Sequence, residues 1–159
     1  MNDDSAAKRP NRFAHLLAGS TAGTVAGIAY LVTAGIDNKI SGQRLYDLQL
    51  LARPFVTSRK RANALGTLIH FGNSAAVGSL YGVLAERHLP GPPVVKGLIF
   101  VTIEGTILYP LMAMEHHHPA IKADEIGSYW SLKSFLWNWP RHFAFGAVLG
   151  WLYAELRNE

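Results

Sequence analysis

The chain has 159 residues and a formal net charge of +4, from 15 Lys and Arg and 11 Asp and Glu. Charged residues form 16% of the sequence, whereas soluble domains average about 25%, and the mean hydropathy is slightly positive at +0.11. The absence of cysteine excludes disulfides and thiolate chemistry. The basic residues lie beside apolar segments, as juxtamembrane charges do, so we expect a lipid bilayer rather than nucleic acid as a partner.

Long apolar segments predict membrane-spanning helices. Residues 13–36 and 62–85 contain no Asp, Glu, Lys or Arg, and a helix of about 20 mostly apolar residues crosses a bilayer. The first segment is longer than the apolar core of a signal peptide, about 7–15 residues, so we expect it to be retained. In the last predicted span, Pro140 fits the first turn, where its missing N–H costs nothing. The four predicted spans are 13–36, 62–85, 94–114 and 138–156.

The predicted fold is an all-α integral membrane protein in which four transmembrane helices form a bundle. The connections 40–56 and 120–136 are too polar to cross, but their apolar side chains predict short interfacial helices. Residues 1–11 are polar and are predicted to be a disordered N-terminus, which leaves 12–159 as a single membrane domain. The basic residues are too evenly divided between the two sides to fix the orientation.

Small residues recur at four-residue intervals on the first two predicted spans. Such spacing lets two helix backbones approach closely in lipid, where apolar side chains give no other driving force. The contact could join helices of one chain, or it could form a homodimer or dock another membrane subunit. The residues predicted to pack helices in this way are Gly19, Gly23, Gly27, Ser74, Gly78 and Gly82.

Polar side chains inside the predicted spans are the candidates for chemistry. A charged group at the position of Glu104 costs roughly 2.5–3.5 kcal/mol to insert, so we expect it to face protein, to face water or to be protonated. It would act either as a proton-accepting or ion-contacting group or as a structural hydrogen-bond partner. His70 is expected to point inward, as a packing histidine or as a partner of Glu104 in a proton relay. Asn73 and His142 complete the predicted intramembrane polar set.

Three consecutive histidines follow the third predicted span. At the membrane surface they would form a polar cap that gains positive charge on acidification. They could also bind a transition metal together with nearby carboxylates. However, adjacent imidazoles on a helix point in different directions, and no recognised zinc spacing is present, so no cofactor is predicted. Haem or chlorin ligation by His70 or His142 is a further alternative. The candidate metal ligands are Glu115, His116, His117, His118 and His142.

The order of features over residues 65–156 resembles a known family. The stretches "SAAVGSLYGVLAE", "KGLIFVTIEGTILYPLMAM" and "RHFAFGAVLGWLYAEL" are similar to the YagU-type family of small bacterial inner-membrane proteins. The resemblance implies a bacterial inner-membrane location and a link to acid resistance, without a catalytic mechanism, and it does not extend to "EHHHP". The positions that carry it are His70, Tyr81, Gly82, Lys96, Gly97, Pro110 and His142.

Three functions are compatible with these patterns. The first is a non-enzymatic membrane protein that packs through its glycine-rich helix faces as a homo-oligomer or as an accessory subunit. The second is proton- or ion-linked transport in acid stress that uses Glu104 and His70. The third is a metal- or cofactor-binding membrane subunit that uses the histidines. No phosphate loop, nucleophile elbow or dinucleotide fingerprint is present, so we do not expect an enzyme.

Overall fold

The computed structural model describes residues 11–158, in which the chain is predominantly helical and contains no β-strand. The predicted disordered segment 1–11 lies, apart from its last residue, outside the described residues. A π-helical turn, Tyr81–Ala85, and a 3-10 turn, Glu86–His88, prolong α3, and a 3-10 helix, Tyr109–His117, prolongs α4. The α-helices are α1, Arg12–Ser41; α2, Asp47–Ala52; α3, Arg59–Leu80; α4, Pro93–Leu108; α5, Pro119–Lys122; and α6, Leu132–Asn158.

Three helical segments within residues 11–158 are long and apolar enough to cross a membrane. They are Arg12–Ser41, Arg59–His88 and Pro93–His117, and they contain the first three predicted spans. The fourth long helix, α6, has 27 residues, which gives a length of about 40 Å at 1.5 Å per residue. α6, which contains the fourth predicted span, is not among the segments of residues 11–158 that are apolar enough to cross a membrane by this measure.

The last helix begins earlier than the sequence predicted. α6 starts at Leu132, after the Ser131 hydroxyl accepts a hydrogen bond from the N–H of Ser134. Because this cap is already in place, residues 132–136 belong to α6 rather than to a separate interfacial helix. Pro140 lies inside α6, so its predicted position in the first turn is wrong.

The four long helices pack in the order α3–α1–α6–α4. α1 lies between α3 and α6, and α4 packs on the opposite side of α6. The outer helices approach each other chiefly at the π-helical turn, where the ring of Tyr81 packs edge-to-face on Phe100 with 5.3 Å between ring centroids. Away from that turn, α3 and α4 leave a space between them.

The chain connections gather at two ends of the molecule. The terminal end holds the start of α1, the turn between α3 and α4, and the end of α6. There the Tyr153 hydroxyl donates to the Gly82 carbonyl oxygen at 3.1 Å and accepts from His15 Nδ1 at 2.5 Å. The connection end holds residues 42–58 and 118–131. Its small apolar core consists of Leu45, Ala120, Ile126 and Tyr129.

Candidate functional site

The glycine stripe of α1 lies against α3 of the same chain. A Cβ added to Gly23 would collide with the Ser74 carbonyl oxygen and lie 2.9 Å from Gly78 Cα. Such close backbone approach leaves room only for a hydrogen atom at these positions. This α1–α3 contact therefore uses the predicted packing residues inside one chain, and a homodimer could not use the same face. The six residues placed in or beside this contact are Gly19, Gly23, Gly27, Ser74, Gly78 and Gly82.

A second close contact, between α4 and α6, was absent from the sequence-based expectations. A Cβ added to Gly97 would collide with the Gly146 carbonyl oxygen and lie 2.9 Å from Gly150 N, and a Cβ on Gly150 would collide with the Pro93 carbonyl oxygen. Gly146 and Gly150 have the same four-residue spacing that marked the first stripe. This spacing could have revealed the α4–α6 contact from the sequence.

A cavity of about 280 Å³ lies between the middle of α3 and the middle of α4. α1 contributes Tyr30 to its wall, and α6 contributes Asn138 and Phe145. Leu50 of α2 and Tyr129 line it at the connection end. The structure thus brings together, around one cavity, all four predicted intramembrane polar residues, which are His70, Asn73, Glu104 and His142.

Backbone carbonyls determine which nitrogen of each cavity imidazole carries the proton. His70 Nε2 lies 3.0 Å from the Gly27 carbonyl oxygen, and His142 Nδ1 lies 3.0 Å from the Asn138 carbonyl oxygen. Because a carbonyl oxygen only accepts hydrogen bonds, each of these nitrogens must donate. The other nitrogen of each neutral ring, His70 Nδ1 or His142 Nε2, is therefore an acceptor.

Tyr30 stands between the two cavity imidazoles. Its ring centroid lies 5.3 Å from that of His70 and 5.3 Å from that of His142, the second pair being edge-to-face. The Arg141 guanidinium carbon lies 6.0 Å from the same ring centroid. Tyr30 on α1 therefore packs against the polar groups of both neighbouring helices.

Glu104 is the cavity acid that has no cationic partner among the described residues. The ion pairs within residues 11–158 join other groups, and the half-buried Glu104 side chain lines the cavity. A Cβ added to its neighbour Gly105 would lie 3.7 Å from His142 Cδ2, so the His142 ring packs against this part of α4. Glu104 and His70 face the same cavity without a direct hydrogen bond between them.

Arg141 joins three segments of the chain, and it was not among the candidate residues predicted from the sequence. Its side chain is fully buried, and its Nη1 donates to Asp47 Oδ2 at 2.6 Å while Nε lies 3.5 Å from Asp37 Oδ2. These contacts tie α6 to the end of α1 and to the start of α2. The sequence signal for this ion network is a basic residue, Arg141, inside an apolar helix, together with two acidic residues, Asp37 and Asp47, that follow the first predicted span.

The histidine triplet lies at the connection end and outside the cavity lining. His118 Nε2 lies within hydrogen-bond distance, 2.9 Å, of the Leu50 carbonyl oxygen, so this ring fastens the end of the 3-10 helix to α2. His116 and His117 are exposed, with 3.9 Å between their ring centroids. Of the three imidazoles, only His118 therefore holds two segments of the chain together.

The predicted metal-ligand set at the triplet does not assemble. Glu115 accepts hydrogen bonds from the Ser128 hydroxyl, from Tyr129 N at 2.5 Å and from Trp130 N at 3.0 Å, so its carboxylate anchors the following loop. His142 belongs to the cavity instead. Within the described part of the chain, no group of three or more His, Asp or Glu side chains could hold a metal ion. The proposed site at His116, His117, His118, Glu115 and His142 is therefore wrong as a shared ligand set.

Tyr129 closes the connection end of the cavity with a neutral phenol. Burial first, and the Asp47 carboxylate second, raise the pKa of Tyr129 well above its usual value. The phenol therefore keeps its proton at physiological pH and is a neutral group at this end of the cavity.

No family model, curated protein or solved structure matches this chain. The resemblance to the YagU-type family therefore stays a prediction. A function for the cavity has to be inferred from its geometry and chemistry.

Proposed function

We propose that this chain is a four-span integral membrane protein that takes up and releases protons, or a small cation exchanged for them, at Glu104. The placement of Glu104 carries this proposal: it is an acid without a cationic partner, in a cavity that it shares with His70 and His142. An ionisable group inside a membrane helix is rare because of its cost, and such groups typically mark ion or proton pathways.

Lipid contact is supported by the apolar side chains on the outside of the long helices. Phe13 is 66% exposed, Leu68 is 71% exposed and Ile107 is 68% exposed. Each belongs to one of the three helical segments that are apolar enough to cross a membrane. Burial of such surface in hydrocarbon is worth roughly 25 cal/mol per Å², so a bilayer is the solvent that best fits this exterior.

The ion network of α6 supports its assignment as the fourth span. A charged guanidinium facing lipid would be costly, but Arg141 is buried against Asp37 and Asp47. Its charge is therefore balanced within the protein. With this charge shielded, α6 can lie beside α1 and α4 across the full thickness of the bilayer.

Cysteine labelling tests the four-span arrangement directly, because the chain has no cysteine of its own. We expect His88→Cys and Arg157→Cys to react with an impermeant maleimide from one side of sealed vesicles, and Ser128→Cys to react from the other. All three positions are exposed. If Arg157→Cys is labelled from the same side as Ser128→Cys, α6 does not cross.

A proton can pass between the imidazoles and the carboxyl of the cavity without a change in net charge. A carboxylic acid at Glu104 can donate its proton, and the acceptor nitrogen of a neutral imidazole can receive one, with one group losing the charge that the other gains. A water molecule between two of these groups would carry the proton across the gap. Release to either side then requires only that water reaches the cavity from that side.

Proton flux into liposomes tests the role of Glu104. We expect purified protein in sealed vesicles to move protons in response to a pH gradient. Glu104→Gln should reduce the rate to that of protein-free vesicles, because a side-chain amide does not take up a proton as a carboxylate does. The matched control is Glu155→Gln, an exposed acid of α6 outside the cavity. Equal flux in wild-type protein and Glu104→Gln would exclude Glu104 as the proton-binding group.

The accessory-subunit hypothesis has less support from the structure. Its motivating glycines lie in contacts within one chain, so they are not available to another subunit. Transport therefore accounts for more of the polar chemistry of the cavity wall than association does, because it uses Glu104, His70 and His142 together.

A further inference from the structure

We infer that the cavity is a binding site for a small protonated amine, an inference that rests on the proposed cation-linked function. The charges of its wall point to a cation, because Asp47 and Glu104 line the cavity and no Lys or Arg does. Asp47 is already paired with Arg141. Glu104 therefore supplies the unbalanced negative charge.

Beside the hydroxyl and amide groups of the wall, three acceptor groups can receive the N–H donors of an ammonium. The carboxylate of Glu104, His70 Nδ1 and His142 Nε2 are all acceptors when both rings are neutral, because the opposite ring nitrogens donate to backbone carbonyls. A primary ammonium carries three N–H donors and no acceptor. The number of its donors therefore equals the number of these three acceptor groups.

A metal ion fits the same groups less well. Transition metals bind nitrogen and oxygen ligands at about 2.0–2.2 Å, and no set of three His, Asp or Glu side chains in the described part of the chain could hold one. An ammonium bonds at longer distances of about 2.7–2.9 Å, and it can reach some partners through water. The lack of a metal-holding set in the described part of the chain therefore favours an organic cation.

The remaining wall limits the size and shape of the amine. A volume of about 280 Å³ lies just below the usual range for small-molecule sites, roughly 300–1,000 Å³, so the ligand must be small. Tyr30 contributes an aromatic ring to this wall. An apolar substituent would lie against the aliphatic and aromatic part of the wall, which includes Val77, Val101, Leu108, Met112 and Phe145.

Benzylamine is a suitable probe, because benzyl alcohol matches its shape without the charge and benzoate reverses the charge. We expect calorimetric titration of the purified full chain to show benzylamine binding at least about ten-fold tighter than benzyl alcohol, since a hydrogen bond to a charged group is worth about 1.5–3 kcal/mol and about 1.4 kcal/mol is ten-fold. Benzoate should not bind. Equal affinity for the amine and the alcohol would overturn the inference.

Two pairs of variants test where the amine binds. Glu104→Gln should weaken benzylamine binding about ten-fold or more and leave benzyl alcohol binding unchanged, while Glu155→Gln should change neither. Asn73→Lys places a cation at an exposed position of the cavity wall and should also weaken benzylamine binding. Its control is Asn63→Lys, which lies on the same helix outside this cavity. If both cavity variants bind benzylamine as wild-type protein does, the inference is wrong.

Acidification should weaken amine binding. Protonation of Glu104 removes the negative charge that the ammonium would contact. The titratable groups that line the cavity with Glu104 are Tyr30, Asp47, His70, Tyr109, Tyr129 and His142. Benzylamine should therefore bind more tightly at pH 8 than at pH 5, and the opposite order would contradict a site built on these acceptors.

The two proposals can fail separately. Glu104-dependent proton flux without selective benzylamine binding would remove the amine site and leave the proton function. Benzylamine binding that depends on Glu104, without any proton flux, would retain the site and remove the transport function. The absence of both results would remove both proposals.

Discussion

Replacement of Arg141 by Met is expected to produce one of the two largest losses of stability in the protein. The change removes the only cation that contacts Asp37 and Asp47 within the described residues, and the side chain it replaces is fully buried. Removal of one partner from a buried ion pair typically costs about 3–5 kcal/mol, because the remaining charge has no compensation. Reversible unfolding in mixed micelles, measured as a free energy, checks this value.

Compensating variants separate the charge effect from a simple loss of packing. Neutralisation of both acids, as Asp37→Asn with Asp47→Asn, should restore part of the stability lost in Arg141→Met, because no carboxylate is then left unpaired. The matched control is Arg44→Met, whose partner Asp124 is 85% exposed and whose loss should cost about 1 kcal/mol or less. An Arg141→Met protein as stable as wild type would show that the network contributes nothing.

Substitution of Gly78 should cause the second large loss of stability. A Cβ at this position would collide with the Gly19 carbonyl oxygen and lie 2.7 Å from Gly23 Cα. Both atoms belong to the backbone of α1, so a side-chain rotation cannot relieve the overlap. Overpacking of this kind costs about 1–3 kcal/mol, and we expect Gly78→Ala to fall in that range and Gly78→Leu to exceed it. The midpoint of thermal unfolding in detergent gives the comparison.

Gly72 provides the matched control on the same helix. A Cβ added there would meet nothing within 4 Å, so Gly72→Ala removes backbone freedom without a collision. An alanine in a helix is favoured over glycine by about 1 kcal/mol. We therefore expect Gly72→Ala to stabilise the protein slightly and Gly78→Ala to destabilise it. Equal shifts in the two variants would mean that the α1–α3 contact is looser than the structure shows.

These two features position the cavity as well as stabilise the fold. The α1–α3 contact brings His70 close to Gly27, where its Nε2 donates to the carbonyl oxygen. The Arg141 network holds α6 against α1 and α2 one residue before His142. Variants at Gly78 or Arg141 should therefore also impair the proposed proton flux, because they shift the imidazoles.

Local sequence patterns located much of the helical framework. The uncharged stretches 13–36 and 62–85 lie inside helical segments that are long and apolar enough to cross a membrane. The span 94–114 lies inside a third such segment. This success has a simple cause, because length and apolar composition are properties of one continuous segment and need no knowledge of its neighbours.

Local patterns gave wrong results where a group outside the short motif decides the outcome. Pro140 looked like the start of a helix, but the hydrogen bond from Ser134 N to the Ser131 hydroxyl caps α6 more than two turns before it. Glu115 looked like a metal ligand beside three histidines, but the backbone N–H groups of Tyr129 and Trp130 take up its carboxylate. In each case the competing group lies outside the short motif.

The sequence by itself determined the long apolar segments, the glycine stripe of the first two of them, and the polar residues His70, Asn73, Glu104 and His142 within them. Only the tertiary structure decided that α3 and α4 stand apart, that His70, Glu104 and His142 therefore share a cavity, and that Arg141 is buried against two acids from other segments. The physical reason is that helix formation depends on neighbours along the chain, whereas a cavity or a buried ion network depends on which helix faces pack together.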